Sequence, residues 1–320
     1  QTDWAFAAGI NRLTFHTFQH QALRDDLRPG MTMGLHGVHW DRNQTWWPYV
    51  DGYHRYIARC QYLLQKGQTV ADVLYLAPEE APFVFRAPVS ALEGDFLIDK
   101  KGHNFDACPP SLLYNASVET GKIKFPSGMQ YSLLVRPVFE TMTPRLLDKI
   151  KSLVEDGATL VGIPPMHAPG LTDYPVCDQV LSTMITDLWG GKDLPAGLVK
   201  RTYGKGQVYW GQDIRDKADN LYPNYPLTSG LLDQMKLGDD FRSDIGKIRY
   251  IHKKVNEQDF YFVSNRTRDL LNTVCHFRVT GKQPQLWNPV NGEIRNLPAF
   301  TDDGTCTSVD LSFEPNQSFF

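Results

Sequence analysis

The stretch from Tyr131 to Pro165 restricts the fold more than any other part of the chain. "YSLLVRP" and "DGATLVGIPP" are short, nearly continuous apolar runs, and "TPRLLDKIKSLVEDG" between them carries the marks of a helix. Thr143 stands where an N-cap belongs, Pro144 takes the first helical position, where a missing N–H costs nothing, and Gly157 follows the last periodic residue. Strands without polar alternation are buried on both faces, and a strand–helix–strand crossover makes them parallel. "TVADVLYLAP", earlier in the chain, supplies a further strand of this kind and runs into a proline-rich loop. The expectation is a parallel α/β sheet covered by helices.

That unit is assigned residues 68–244 and is of a flavodoxin-like or amidotransferase-like kind. Residues 1–67 form a first unit. In "FAAGINRLTFHTF" a helix ends at Gly9 and a strand follows, with Leu13 and Phe15 on one face and Thr14 and His16 on the other. "WPYVDGYHRYIARCQYLLQKG" has apolar residues at 49, 53, 56, 57, 60, 63 and 64, a helical stripe closed by Gly67. From residue 245 to 320 the pattern changes. "IRYIHKKVNEQDFYFVSNRT", "VCHFRVTGKQPQLWNPVNGEI" and "TSVDLSFEPNQSFF" alternate between turns, as antiparallel strands of a β-sandwich-like domain do. The fold class expected is thus α/β with a β-rich C-terminal part. The chain opens directly in apparent structure and stops without a closing element, so both ends read as cut from something larger.

Charge narrows the partners. With 33 Lys and Arg against 36 Asp and Glu, the net charge is -3, and no basic stripe exists to neutralise phosphates. A nucleic-acid partner is not expected. No apolar run approaches the ~20 residues that span a bilayer. Cys60, Cys108, Cys177, Cys275 and Cys306 are odd in number and widely spaced, with no CxxC pair, so neither a zinc ribbon nor a disulfide framework is indicated.

The chemistry-rich segment is "HGVHWDRNQTWW", His36 to Trp47, in the loop between the predicted strand and helix of the first unit. Binding residues sit on such loops in barrels and α/β sheets. Tryptophan rings beside Asp41, Arg42 and Asn43 suit a sugar, whose CH faces stack on indole and whose hydroxyls want carboxylate, amide and guanidinium partners. The structural alternative has Thr45 capping the following helix and one of Trp46 and Trp47 sealing it against the domain. His16, Gln19 and His20 in "HTFQHQ" read either as hydrogen-bonding groups at a strand end or as histidines satisfied by backbone. His36 and His39 lie three apart, but no third ligand has zincin spacing. No Gly-x-Ser-x-Gly or Gly-x-Cys-x-Gly elbow is present, so the α/β unit has no nucleophile. "YGKGQVYWG" sits in a hairpin-like setting, not between strand and helix as a phosphate loop would. Glu79 and Glu80 read as a solvated loop. Glycoside hydrolysis takes two carboxylates, yet residues 1–67 contain no glutamate, and Asp41 is the single aspartate there placed to take a catalytic part.

Several long stretches resemble the later part of the family 106 glycoside hydrolases, the α-L-rhamnosidases. They are "GINRLTFHTFQHQ", "PGMTMGLHGVHWDRNQTWW", "YIARCQYLLQKGQTVADVLYL", "GHNFDACPPSLL", "YSLLVRPVFETMTPRLLDKIKSLVEDGATLVG" and "FRVTGKQPQLWNPVNGEI". They follow in order and cover most of the chain. The resemblance implies that residues 1–67 are the closing part of a (β/α)8 barrel, that 68–244 are a degenerate, non-catalytic amidotransferase-like domain, and that 245–320 begin a β-rich region. It implies a multidomain, periplasmic or extracellular enzyme that removes terminal rhamnose from plant-type glycans, with catalytic glutamates before Gln1. Calcium is implied too, with no ligands placed. His16, His20, His39, Asp41, Arg42, Asn43 and Trp46 carry over by motif position as a partial sugar subsite. Two alternatives stay open: another exo-glycosidase, such as one acting on β-galactosides, or a non-catalytic glycan-binding or scaffold module. Homo-oligomerisation or an upstream barrel segment would cover the exposed strand edges of a barrel remnant.

Overall fold

The computed structural model describes residues 1–34, 38–79, 84–94 and 97–320. His36 and Glu80, both singled out above, lie outside the described residues. The fold is mixed α/β with many strands. By contacts the chain forms two compact units, one of Gln68–Arg242 and one of Gln1–Gly67 together with Ser243–Phe320. The first and last segments, expected to be separate, therefore share a unit, because the apolar faces of both meet in one core.

In the Gln68–Arg242 unit the sheet runs, edge to edge, Val199–Tyr203, Gly206–Trp210, Thr159–Val161, Leu133–Val135, Val73–Leu76 and Phe105–Cys108. All neighbours pair parallel except the first two, which form an antiparallel hairpin. Leu133, Leu134, Val135, Leu160 and Val161 are fully buried, as expected of strands covered on both faces. The helix Pro144–Asp156 crosses between two of them. Thr143 accepts a hydrogen bond from Leu146 N–H, and Gly157, at φ 129°, donates its N–H to the carbonyls of Leu153 and Val154. The helix buries Leu146, Leu147, Ile150, Leu153 and Val154 on one stripe. A second helix, Val176–Trp189, ends at Gly190 in the left-handed region, and its Trp189 indole donates to Gly162 O at 3.0 Å.

In the other unit Ile248–Val255 and Gln258–Asn265 form a long hairpin, joined at its far side by Ser318–Phe319. Leu271–Phe277 pairs with Thr307–Phe313 in a second antiparallel sheet. Tyr261 meets Phe277 across the two sheets at 4.9 Å, and Phe313 meets Phe319 at 5.5 Å. The short helix Thr2–Ala7 sets Phe6 edge-on against Phe262 at 5.9 Å. The helix Val50–Leu64 adds Ile57, Cys60 and Leu64 to that core. Asp3 clasps the assembly, accepting from Tyr56 OH and Ser318 Oγ, both at 2.6 Å.

Two local expectations are corrected. Residues 11–16 keep their alternation, with Leu13 and Phe15 half-buried and Thr14 and His16 exposed, but they form no strand. Their backbone partners are side chains: Gln61 Oε1 accepts from Leu13 N at 2.8 Å, and Gln65 Nε2 donates to Asn11 O at 2.9 Å. Alternation declares a face; it does not supply a neighbouring strand. Thr45 caps nothing, because the helical turn Trp47–Tyr49 begins two residues later with Trp46 in the N-cap position and no side-chain cap.

Candidate functional site

Residues 8–46 contain no helix or strand among those described, so their shape depends on side chains and a few backbone bonds. Thr17 N donates to Val38 O at 3.0 Å, Val38 N to His16 O at 3.1 Å, and Trp40 N to Thr17 O at 2.8 Å. This short exchange brings the "HTFQHQ" segment against "VHWDRN" and sets Thr17 across from His39. Asp41 then turns the chain: its Oδ1 accepts from Asn43 N at 2.8 Å, an Asx turn that pins the carboxylate to its own loop.

Asn43 continues the lattice. Its Nδ2 donates to Pro29 O at 3.1 Å and to Gln21 Oε1 at 3.3 Å. Gln21 in turn clamps Met31 from both sides, accepting from its N at 2.9 Å and donating to its O at 2.8 Å. Gly30 fits under this lattice only because it is glycine. At φ 84° it takes the left-handed region, and a Cβ there would fall 2.2 Å from Gln21 Oε1 and 2.7 Å from Asn43 Nδ2. Arg42 reaches out to Asp25 at 3.1 Å, with both side chains well exposed.

The aromatic part is continuous. Trp40 lies 4.2 Å from Phe15, 5.0 Å from Trp46, and is stacked on Tyr53 and His54 at 5.8 and 5.2 Å. Trp46 touches Trp40 and Trp47, so Trp40 seals the segment against the helix and Trp46 is the next ring outward.

Asp41 is buried to 3 % exposure, and its Oδ2 has no hydrogen-bond partner among the described residues. The same is true of the buried Thr17 Oγ1, His39 Nε2 and Asn43 Oδ1. An unpaired buried polar group costs ~1–3 kcal/mol, so one is tolerated with difficulty and four in one segment call for a polar ligand or water.

Of the seven residues predicted for the site, His39, Asp41, Asn43 and Trp46 come together in this lattice. Arg42 joins it at the exposed edge. His16 and His20 do not: both are exposed, and neither ring has a hydrogen-bond partner among the described residues. Sequence reasoning missed Thr17, Gln21, Asp25 and Gly30. Only the turn-forming "RPGM" around Gly30 signalled a position that needs a left-handed backbone.

Doubly wound sheets bind ligands at the carboxyl ends of their strands, and here Arg136, which follows one of those ends, is fully buried and donates to Ile163 O and to Phe139 O. Burial pushes its guanidinium down to about 9, only partly offset by the charge of Glu79. Cys108 ends one strand, but burial raises its thiol to about 12, which leaves no thiolate nucleophile. His103 is held by Asp72 Oδ2 at 2.7 Å, at the amino ends of the strands, where a sheet of this kind is braced.

Among the described residues no group of three or more His, Cys, Asp or Glu side chains could hold a metal ion. The described residues therefore do not provide the carboxylate cage that calcium takes. Nor, among them, is any helix long and apolar enough to cross a membrane.

The model of glycoside hydrolase family 106, described as alpha-L-rhamnosidase, matches residues 1–301. A solved rhamnosidase from Novosphingobium sp. PP1Y superposes with a TM-score of 0.79 at 27% identity, over 99% of this chain and 28% of that one. A curated relative from Formosa agariphila, named "Putative beta-glucuronidase", is 33% identical over 99% of this chain and 24% of its own length. A catalytic mutant of a GH42 beta-galactosidase from G. stearothermophilus shares the fold alone, at TM-score 0.50 and 12% identity over 91% of this chain and 46% of that one. The chain spans about a quarter of the length of the first two relatives. On the match over residues 1–301, it belongs to glycoside hydrolase family 106.

Proposed function

We propose that this chain forms part of the sugar-binding wall of an α-L-rhamnosidase that removes terminal rhamnose from plant-type glycans outside the cytoplasm. The observation that carries the reading is the set of four buried polar atoms, on Thr17, His39, Asp41 and Asn43, that have no hydrogen-bond partner among the described residues, beside the Trp40–Trp46 pair. A sugar meets both needs at once. Its hydroxyls donate to Asp41 Oδ2 and Asn43 Oδ1, and its CH face lies on indole. Rhamnose, with a methyl in place of a hydroxymethyl, suits a wall that is part aromatic and part polar.

Residues 1–67 are in this reading the closing part of a (β/α)8 barrel, and the acid and base carboxylates come from the portion of the longer relatives that this chain does not span. Asp41 binds and orients the sugar, its carboxylate fixed by its own turn. A second reading, a β-glucuronide as substrate, is favoured by the name of the 33% identical relative. The test is hydrolysis by the full-length gene product of chromogenic α-L-rhamnoside, β-glucuronide and β-galactoside, side by side. Cleavage of the rhamnoside alone supports the proposal, and cleavage of the glucuronide in its place replaces it with the second reading.

A further inference from the structure

A cavity of about 430 Å³ lies in the same unit as the candidate site but is built from other residues, the helix Val50–Leu64 and the "WNPVNGE" loop of residues 287–293. Arg59 is its organising group. Its Nη1 donates to Pro289 O at 2.9 Å and to Val290 O at 2.7 Å, which fixes the half-buried guanidinium in place. The loop it holds is itself rigid, since Asn288 Oδ1 accepts from Val290 N at 2.9 Å. Gly292, at φ 81°, packs on the flat face of the guanidinium: a Cβ there would lie 3.2 to 3.3 Å from Nε, Cζ and Nη2 alike.

What remains of Arg59 is the Nε–Nη2 edge, and it has no hydrogen-bond partner among the described residues. A guanidinium held by one nitrogen, with its paired edge left open, is pre-formed for a carboxylate, which takes two parallel N–H bonds. Tyr62 lines the cavity beside it and is 65% exposed, and Lys66 lies 4.7 Å over its ring without a carboxylate partner among the described residues. Trp287 supplies a second ring. The one acid among the described lining residues, Glu293, accepts from Asn291 Nδ2 at 3.3 Å and forms no ion pair with Arg59 among the described residues. The balance favours an anion that also has an apolar face.

The geometry points to an accessory site for a uronic-acid unit of an acidic glycan, its carboxylate on the Arg59 edge, its ring on Tyr62, and a hydroxyl on Glu293. The site is a binding site away from the loop of residues 15–46, and its test needs no turnover, so its failure is separable from that of the rhamnosidase reading.

Calorimetry with the full chain and tetragalacturonate, against the fully methyl-esterified tetramer, tests it. The acid form is expected to bind about tenfold or more tightly than the ester, the worth of a charge-assisted pair. Its affinity should fall as salt rises. Arg59→Lys keeps the charge but loses the fork, and Tyr62→Ala loses the platform; each should weaken binding of the acid by about tenfold. Thermal melting identifies any loss of fold, and Lys66→Gln, at an exposed position with no structural bond, gives an independent reading through a weaker loss. Equal binding of acid and ester, no binding of the acid, or wild-type affinity in a folded Arg59→Lys protein would overturn the proposal.

Discussion

Replacing Gly30 by alanine tests whether the lattice around Asn43 is what shapes the candidate site. The new Cβ would stand 2.2 Å from Gln21 Oε1, so the carboxamide must retreat by more than an ångström to reach ordinary contact at 3.4 Å. Doing so breaks the two-point clamp on Met31 and moves the acceptor that Asn43 shares with it. An L-residue in the left-handed region costs ~1–2 kcal/mol, and the two clamp bonds contribute ~0.5–1.5 kcal/mol each. The total is about 2–5 kcal/mol, taken locally, since Gln21, Gly30, Met31 and Asn43 are not members of the core around Phe6 and Phe262. Gly34 is the control. Its φ is 73°, and a Cβ would meet nothing within 4 Å, so Gly34→Ala carries the backbone cost alone. In the full-length gene product, Gly30→Ala should raise KM for the rhamnoside at least tenfold beyond Gly34→Ala while the melting temperature of both stays close to wild type. Identical kinetics for the two variants would refute the reasoning, because the difference between them is the lattice itself.

Other outcomes follow from single contacts. Thr143→Ala removes the cap of the Pro144–Asp156 helix and the hydroxyl bond to Glu79, and should cost about 1–2 kcal/mol in urea unfolding, with Thr143→Ser retaining most of it. Gly162→Ala would drive a Cβ to 2.0 Å from Arg136 Cγ in a closed interior and should cost about 3 kcal/mol or more; adding Arg136→Ala should restore part of that loss. Burial alone would raise the Asp259 carboxyl, but hydrogen bonds and charge from His252 and Lys282 outweigh it and hold it at about 2. The folded value lies below the unfolded 3.8, so this stability is present above about pH 4 and is lost as pH falls toward 2. The gap in melting temperature between wild type and Asp259→Asn should therefore close over that window, and a gap constant from pH 5 to 2 would contradict it.

What could be read in the sequence divides by range. The helix bounded by Thr143, Pro144 and Gly157 was legible because each signal acts within one turn, and the strands around it because continuous burial leaves continuous apolar runs. The extended stretch at residues 11–16 shows the opposite case. Its alternation is present, but whether it pairs with a strand depends on elements distant in sequence, and here Gln61 and Gln65 take the bonds. In the candidate site, Asp41, Asn43 and Trp46 were visible as a cluster of sugar-binding residue types. Gln21 was not, since a glutamine ten residues from the methionine it clamps leaves no local mark. His16 and His20 sit in the same segment as Thr17, and which of these side chains turns inward leaves no mark in the sequence: both rings are exposed, whereas Thr17 Oγ1 is buried.

The central claim is that the loop around Asp41 holds a sugar. It is tested most directly by kcat/KM for a chromogenic α-L-rhamnoside in the full-length gene product, wild type against Asp41→Asn. Asparagine can keep the turn to Asn43 while replacing the unpaired carboxylate oxygen by an amide. The account predicts a loss of about a hundredfold, on the order of 3 kcal/mol of a charge-assisted bond, with an unchanged melting temperature. Hydrolysis at the wild-type rate by Asp41→Asn would contradict it.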